Sequence, residues 1–252
     1  MGFILTYCIS SMKVLTWNTL ASEWIDNQTY QLVKKEIRCN AKNRFQVIMK
    51  RILDINPSII LLQEVMPEQY NQLHQMLHKT YIITQLVRIN WDDTKNNSGN
   101  VSLFIRNDFS ETNMQHLPLD YGIQTNCVYK KRPCKIYNVH LSDVSVDKRN
   151  KQLKTIMPTL LEANHCIIAG DFNHQYRLNT KLYNIPNYTI HNTTCPTYYI
   201  ERKMNIDNIL SKGFTPNSLS TCAEYPSDME NGFIIYGSDH LPVVADMTLS
   251  SS

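Results

Sequence analysis

Asp171 and Asn173 are the two side chains whose types and spacing most directly suggest chemistry. They follow residues 166–169, which are small, apolar or β-branched and therefore predict a buried strand. Only one residue separates the pair, so the two-residue period of extended backbone puts both side chains on one face beyond the strand. A carboxylate and an amide there could hold a water molecule beside a phosphate oxygen. The alternative is an ordinary turn, because Asp and Asn are also frequent turn residues.

The same arrangement, a polar group at the edge of a short apolar strand, recurs at five further places in the chain. One such case has little weight, but six cases in one chain are difficult to explain as a set of turns. The further places are Trp17-Asn18, Leu62-Gln63-Glu64, Asn138-Val139-His140-Leu141, Asn205-Ile206-Asp207-Asn208-Ile209-Leu210 and Ser238-Asp239-His240-Leu241-Pro242.

Apolar periodicity defines the elements that must position these groups. Each half of the chain has the order strand, crossover helix, strand, with polar groups at the strand ends. This repetition suggests two β-sheets packed face to face with helices outside, an α/β sandwich of four layers. Pro158 is expected to kink or interrupt the second helix. The predicted strands are 13–18, 58–64, 134–141 and 165–171, and the predicted helices are 41–55 and 147–163.

The chain has no linker or low-complexity segment, so residues 13–249 are predicted to form a single catalytic domain. Residues 1–12 are expected to be a tail or an edge strand. Gly2 to Thr6 formally fits a myristoylation motif, but such short motifs often match by chance. No segment approaches the ~20 apolar residues of a membrane span.

Composition is that of an ordinary globular protein, with 42% hydrophobic and 19% charged residues among 252. The net charge of +3 is compatible with a polyanionic partner without requiring one.

None of the seven cysteines lies in a CxxC pair, which argues against zinc and favours reduced thiols in the cytoplasm or nucleus. Cys127 and Cys134 could face each other across a hairpin, but free thiols are expected there too. A monomer is expected.

The order and separations of these motifs resemble those of the endonuclease/exonuclease/phosphatase superfamily, to which deoxyribonuclease I and the abasic-site endonucleases belong. The first half is more similar to its mRNA-deadenylase branch, which includes nocturnin, the Angel proteins and the 2′-phosphodiesterases. The similarity to that branch rests on Trp17-Asn18-Thr19-Leu20-Ala21 and on Arg44 ahead of Leu62-Gln63-Glu64-Val65. The resemblance extends from about Lys13 to about Met247 and implies the four-layer sandwich, with mixed sheets, expected above.

The resemblance implies a Mg²⁺ site, with Mn²⁺ as an alternative ion. Glu64, a lone acid at the end of an apolar strand, is the expected metal ligand. Asn18 would hold that carboxylate or a water on the metal, and Asp239 is a candidate for a second metal position. The sequence leaves open whether one or two ions bind.

The resemblance also implies catalytic roles. Asp171 would orient and deprotonate the attacking water, and Asn173 would donate its amide to a phosphate oxygen. His240 would face the phosphate while Asp207 holds its far ring nitrogen, which fixes the tautomer and favours the imidazolium. His140 would be a second donor to the phosphate.

The implied activity is Mg²⁺-dependent hydrolysis of RNA or oligonucleotide phosphodiesters, either from a 3′ end as in a deadenylase or on 2′-5′ oligoadenylate. Single-stranded RNA is the expected partner, and Arg44, Arg149, Tyr198 and Tyr199 are the expected substrate contacts. The alternative keeps the site but changes the substrate to DNA, a 5′-tyrosyl phosphodiester or a small phosphoester. A catalytically inactive binding module ranks last, because every acid and histidine that hydrolysis needs is present.

Overall fold

The structure is a computed structural model that describes residues 11–89, 97–175, 185–191, 195–200, 203–221 and 224–250. The myristoylation motif lies outside the described residues. No helix within them is long and apolar enough to cross a membrane. The strands are β1 (Met12–Asn18), β2 (Ile59–Val65), β3 (Tyr81–Ile83), β4 (Val87–Arg88), β5 (Gly99–Ile105), β6 (Gln115–Leu119), β7 (Gly122–Tyr129), β8 (Arg132–His140), β9 (Cys166–Asp171), β10 (Thr189–Ile190), β11 (Asp207–Lys212), β12 (Phe214–Thr221) and β13 (Val243–Leu249). The helices are α1 (Lys35–Arg38), α2 (Ala41–Ile55), α3 (Pro67–Leu77), α4 (Val146–Glu162) and α5 (Met229–Tyr236).

The strands form two mixed sheets. The first has the order β12-β13-β1-β2-β5-β3 with β4 beside β5, and the second has the order β10-β11-β9-β8-β7-β6. The parallel pairs are β1 with β2 and β8 with β9, each joined by a crossover helix, α2 and α4 respectively. The strand, helix, strand repeat predicted from the sequence therefore gives one βαβ unit in each sheet.

Four layers follow from where the apolar side chains lie. Residues on the inner faces of both sheets form one core, which includes Leu61 from β2 and Ala169 from β9. The outer face of the first sheet packs against α2 and α3, and that of the second packs against α4. Successive residues Ile167 and Ile168 belong to the inner and outer cores, as alternation along a strand requires. The predicted four-layer sandwich is confirmed.

Helix α2 has the bounds that its sequence predicts. The side chain of Asn40 caps its N-terminus by accepting from the backbone N–H of Asn43, at 3.1 Å. Asn56 ends it in the left-handed region, at φ 48°, immediately before Pro57. Ile48 and Ile52 lie on its buried face. Capping, termination and amphipathicity agree, so local sequence determines this helix.

Pro158 was predicted to kink or interrupt the second helix, and the predicted interruption is wrong. Helix α4 continues through it from Val146 to Glu162. Proline removes one backbone donor, but Ile156 and Leu160 on either side are buried against the second sheet. Their burial stabilises the helical backbone across the defect. The sequence also gave no indication of β6 or α5.

Cys127 and Cys134 lie directly opposite each other in the β7–β8 hairpin. Both thiols are buried and free, as expected. Burial raises the pKa of the Cys134 thiol to about 11, which keeps the group protonated at neutral pH.

A buried polar network joins the two sheets below their functional edge. Asn138 of β8 crosses to the first sheet, where its Nδ2 donates to the carbonyl oxygens of Leu62, at 3.1 Å, and Val101, at 2.9 Å. Its Oδ1 accepts from Gln63 Nε2 at 2.8 Å. These bonds satisfy backbone groups where β2 and β5 lose register between Leu62 and Val65.

Asn138→Ala is expected to lower the free energy of unfolding by about 2–3 kcal/mol, because several buried partners lose their hydrogen bonds together. Chemical denaturation measures the difference. Asn113→Ala, at an exposed position of a short 3-10 turn, is the matched control and should change stability by less than about 0.5 kcal/mol. Equal stability of the Asn138→Ala variant and the wild type would contradict the network's role.

Candidate active site

Strand register brings the predicted catalytic groups together. His140 lies opposite Asp171 across the β8–β9 pair, and Asp171 lies opposite Asp207 across the β9–β11 pair. Asn18 ends β1 and Glu64 lies near the end of β2 in the facing sheet. The functional edges of the two sheets therefore meet, and groups more than 200 residues apart in sequence form one cluster.

A bulge in β2 gives Glu64 its position. The residue adopts φ 56°, which is uncommon for any residue except glycine and occurs where β2 and β5 lose register. Glu64 Oε1 accepts from Asn18 Nδ2 at 2.7 Å, and Oε2 accepts from the backbone N–H of Ala21 at 2.9 Å. Asn18 Nδ2 also donates to Asp171 Oδ2 at 3.1 Å. The amide of Asn18 thus holds one carboxylate from each sheet.

His240 and Asp207 form a close buried pair, with His240 Nδ1 2.8 Å from Asp207 Oδ2. Burial alone would lower the pKa of His240, but the carboxylates of Asp207, Asp239 and Asp171 together raise it well above its ordinary value. Asp207 lies behind His240 and is fully buried, so it can influence the cavity only through the imidazole. The imidazolium therefore persists at neutral pH, with Nε2 as the outward donor.

Asp171 lies between the two histidines. Its Oδ2 is 3.6 Å from His140 Nε2 and 3.8 Å from His240 Nε2. Its Oδ1 accepts from the backbone N–H of Asn173 at 2.8 Å, and Asn173 adopts φ 47°. Burial and the charge of Asp207 raise the pKa of Asp171, whereas the charge of His240 lowers it. A raised pKa suits a carboxylate that accepts a proton near neutral pH.

His140 differs from His240 in its charge state. Burial lowers the pKa of His140, and the carboxylate of Glu64, 3.9 Å away, only partly opposes this. A neutral imidazole at neutral pH follows. On the other side of the cluster, Asp239 Oδ2 accepts from the hydroxyl of Tyr30 at 2.8 Å. Tyr30 belongs to the loop after β1, and the sequence analysis did not assign this contact.

These groups open into a cavity of about 480 Å³. Its polar lining includes Glu64, His140, Asp171, Asn173, Asp239 and His240. Its apolar lining comprises side chains that the sequence analysis did not identify as substrate contacts: Leu20, Trp24, Val144, Met204 and Ile206. Trp24 is 39% exposed and Val144 62% exposed. Trp24 follows the first motif, Trp17-Asn18, closely in the sequence. Its position was the one sequence feature that could have pointed to this apolar lining.

The prediction that Arg44 contacts substrate is wrong. Arg44 is 2% exposed, and its guanidinium donates to the carbonyl oxygens of Gly237 at 2.7 Å and Leu20 at 2.9 Å. It holds the loop after β1 against the segment that precedes Asp239. A buried cation bonded to backbone carbonyls positions the site without lining it.

Of the two tyrosines predicted to contact substrate, the structure places one at the cavity. The ring of Tyr198 lies 5.1 Å from that of His240, centroid to centroid. Tyr199 instead packs against Gly232, and its hydroxyl donates to the carbonyl oxygen of Ser238. The prediction that Tyr199 contacts substrate is therefore wrong, because its ring is held by α5 and its hydroxyl by the protein backbone. Arg149 lies in a neighbouring cavity that shares Asn173.

A family model described as "Endonuclease/Exonuclease/phosphatase family" matches residues 15–240, nearly the whole described domain. The chain belongs to the endonuclease/exonuclease/phosphatase family. The family predicted from the motifs is confirmed, and with it the chain is a phosphodiesterase or nuclease type of hydrolase. No curated protein sequence is similar enough to count as a relative.

Solved structures with the same fold include ANGEL2, described as a 2′,3′-cyclic phosphatase, with a TM-score of 0.76, 14% identity and coverage of 94% of this chain and 95% of that one. The human Nocturnin catalytic domain with bound sulfate has a TM-score of 0.66, 18% identity and coverage of 95% of each chain. D. rerio TDP2 with a single-strand DNA product has a TM-score of 0.67, 14% identity and coverage of 95% and 99%. At these identities the likeness shows the shared fold.

Enzymes of the endonuclease/exonuclease/phosphatase family depend on metal ions, and the donor set fits a hard divalent cation. The carboxylates of Glu64, Asp171, Asp207 and Asp239 share one site, and burial raises the pKa of Glu64. Asp171, Asp207 and His240 each place a ligand atom within 4.8 Å of the others. Asp207 lies behind His240, whereas Glu64 and Asp239 line the cavity, so Glu64, positioned by Asn18, and Asp239 are the better candidates to hold a cation.

Proposed function

We propose that this protein is a Mg²⁺-dependent phosphodiesterase that hydrolyses single-stranded RNA or oligonucleotides from an end. The observation that carries this proposal is the composition of the cavity: a catalytic floor of carboxylates and imidazoles joined to a partly exposed aromatic and aliphatic rim. Unpaired bases stack on such rims in a sequence-tolerant way, whereas a duplex keeps its bases stacked inside. A cavity of about 480 Å³ has room for a terminal nucleotide.

Each residue has a task in the proposed reaction. Glu64, held by Asn18 and the backbone of Ala21, would bind the cation together with Asp239. When bound, the cation supplies positive charge that stabilises the phosphate oxygens as negative charge develops. Asn173 lies beside the cavity, where its amide can donate to a phosphate oxygen.

Proton transfer is assigned to Asp171 and the two histidines. Asp171 accepts a proton from the attacking water, since its raised pKa lets it hold that proton. His240, kept charged by Asp207, donates from Nε2 to the phosphate. His140 contributes a further donor beside Glu64 and Asp171.

Two structural neighbours are compatible with such substrates. ANGEL2 is described as a 2′,3′-cyclic phosphatase and TDP2 was solved with a single-strand DNA product. The first favours an RNA end, because only ribose has a 2′ oxygen. The second keeps the alternative of DNA on the same site. The 3′ direction, the preference for RNA, the monomeric state and the cytoplasmic or nuclear location stay predictions.

A side-by-side assay in Mg²⁺ separates these substrates. The panel is poly(A), mixed-sequence RNA, 2′-5′ oligoadenylate, single- and double-stranded DNA, a 5′-tyrosyl oligonucleotide and bis(p-nitrophenyl) phosphate. The proposal expects single-stranded RNA or 2′-5′ oligoadenylate to have the highest kcat/KM. Equal or faster cleavage of duplex DNA would contradict the RNA assignment and favour a deoxyribonuclease.

Trp24→Ala is expected to weaken binding of single-stranded RNA about tenfold or more, because base–aromatic stacking contributes ~1–3 kcal/mol per base. The tryptophan is well positioned for this role. Its turn is fixed by Glu23, whose Oε1 accepts from the Ser98 hydroxyl at 2.6 Å, and by the Ala21 contact to Glu64. Fluorescence anisotropy in EDTA measures affinity without cleavage.

Trp24→Phe, which keeps an aromatic face, should restore most of the affinity that the alanine variant loses. Leu53→Ala removes another exposed apolar side chain, on α2, and should leave RNA affinity at the wild-type value. An unchanged affinity in Trp24→Ala would refute the stacking role of this residue.

A further inference from the structure

A second cavity, of about 470 Å³, lies beside the candidate active site. The two cavities share Asn173, Met204 and Ile206 in their linings, so a bound chain can extend from one into the other. Asn173 is the residue assigned to the scissile phosphate. The second cavity therefore lies within reach of the next group along a substrate.

The two cavities have opposite charge. Four acids, Glu64, Asp143, Asp171 and Asp239, line the first. The lining of the second contains Arg149, His174 and Lys203 and has no acid among the residues that the structure describes. A cavity lined by basic groups beside a cavity that would hold a cation attracts an anion rather than a second metal.

Arg149 is held in place by the loop that precedes its helix. Its Nη1 donates to the carbonyl oxygen of Ser142 at 2.8 Å and is 3.4 Å from that of Asp143. The guanidinium has five N–H donors, so this anchoring leaves others for a ligand. Because the group is already ordered, a phosphate that binds it meets a smaller entropic cost.

Two further features raise the positive potential. Val146, the first residue of the 17-residue helix α4, lines the cavity, so the positive end of the helix dipole lies there. His174 adds no charge, because burial and the charge of Arg149 both lower the pKa of its imidazole; it can contribute a hydrogen bond only. Lys203 is exposed and contacts the ring of Tyr225, 4.7 Å from its centroid.

We propose that this second cavity is a subsite for a second phosphate group of the substrate, adjacent along the chain to the phosphate that is hydrolysed. Arg149 and Lys203 bind it, and His174 donates a hydrogen bond. The inference rests on the proposed function and extends it to a substrate class: compounds with two or more phosphates, in preference to those with one. The second phosphate can be an internal diester or a terminal monoester, which have the same recognition chemistry.

Four uridine compounds test the subsite by binding in EDTA. UpU has one phosphate. The compound pUpU adds a terminal phosphate at the 5′ end, and UpUp adds one at the 3′ end. UpUpU has a second internal diester instead. Competition against a labelled RNA in fluorescence anisotropy measures the dissociation constant of each. At least one two-phosphate compound should bind about tenfold tighter than UpU, as expected for charge-assisted hydrogen bonds to one phosphate.

Lys203→Glu and Arg149→Gln should each reduce that gain, and the double variant should abolish it. Lys154→Glu makes the same charge change at an exposed position of α4 and should keep the full gain. Lys203→Glu changes an exposed side chain, so it tests the subsite even where Arg149→Gln loosens the Ser142 loop. A gain confined to pUpU or UpUp identifies a terminal phosphate, and a gain with UpUpU identifies an internal one.

Equal affinity of UpU and all three longer compounds overturns the subsite, as does a gain that persists in Lys203→Glu combined with Arg149→Gln. Failure of the proposed function is a different result: none of the substrate panel, including bis(p-nitrophenyl) phosphate, is hydrolysed in Mg²⁺. Tighter binding of a two-phosphate compound without hydrolysis supports the subsite and contradicts the enzyme proposal. Hydrolysis of the panel without that gain contradicts the subsite alone.

Discussion

Glu64→Gln is expected to lower Mg²⁺-dependent turnover by about 10³-fold or more while the fold remains intact. The loss follows from the chemistry of the cation, whose charge stabilisation is several kcal/mol, and each ~1.4 kcal/mol changes the rate tenfold. Glutamine has nearly the same shape as glutamate, and its single side-chain oxygen can still accept from Asn18 or Ala21. The rate of hydrolysis of bis(p-nitrophenyl) phosphate at saturating Mg²⁺ measures the effect.

A stability measurement distinguishes the loss of a metal ligand from general damage. Burial opposes the charge of Glu64, so the metal-free Glu64→Gln protein should be at least as stable as the metal-free wild type. Mg²⁺ should raise the melting temperature of the wild type, because a ligand that binds only the folded state stabilises it. The variant should lose most of that increase.

Glu68→Gln is the matched control, since Glu68 is an exposed acid four residues further along the chain. It should keep both the turnover and the Mg²⁺-dependent rise in melting temperature. Near wild-type turnover in Glu64→Gln, or full activity of the wild type in excess chelator, would refute the assignment of Glu64 to the metal.

Asp207→Ala and His240→Ala are each expected to lower kcat/KM by about 10²–10⁴-fold, and the double variant should be little worse than His240→Ala alone. The reason is geometric. Asp207 Oδ2 lies 2.8 Å from His240 Nδ1 and is shielded from the cavity, so Asp207 acts only by orienting and charging the imidazole. Without His240, the Asp207 carboxylate has no imidazole to orient or charge, so its removal should cost little more activity.

The double-mutant cycle on kcat/KM gives the coupling free energy between the two residues directly. Asp207→Asn is a useful addition, because it keeps the size of the side chain but removes the charge that raises the pKa of His240. Asp246→Ala, at a half-buried acid of β13 outside the cavity, is a control with no expected loss. Losses that multiply in the double variant would show that Asp207 acts somewhere other than on His240.

The sequence by itself predicted which polar side chains form the candidate site and on which elements they lie. Asp171 and Asn173 were predicted at the end of a buried strand, and β9 ends at Asp171. Helix α2 was predicted with its observed bounds, 41–55, because cap, stop signal and apolar spacing are all local. The strand, helix, strand repeat predicted both parallel pairs, and the motif order predicted the family. All of these features depend on residues close together in the sequence, so sequence patterns are sufficient to predict them.

The tertiary structure decided what each remaining side chain touches. Arg44 lies in the predicted helix, but only the return of the chain at Gly237 makes it a clamp between two loops. The bulge at Glu64 depends on an asparagine of the other sheet, Asn138. Trp24 and Tyr199 are both aromatic residues near a motif, and packing alone exposes the first and confines the second. Contacts between residues far apart in sequence depend on how the layers pack against each other. The conformational preferences of neighbouring residues do not determine that packing.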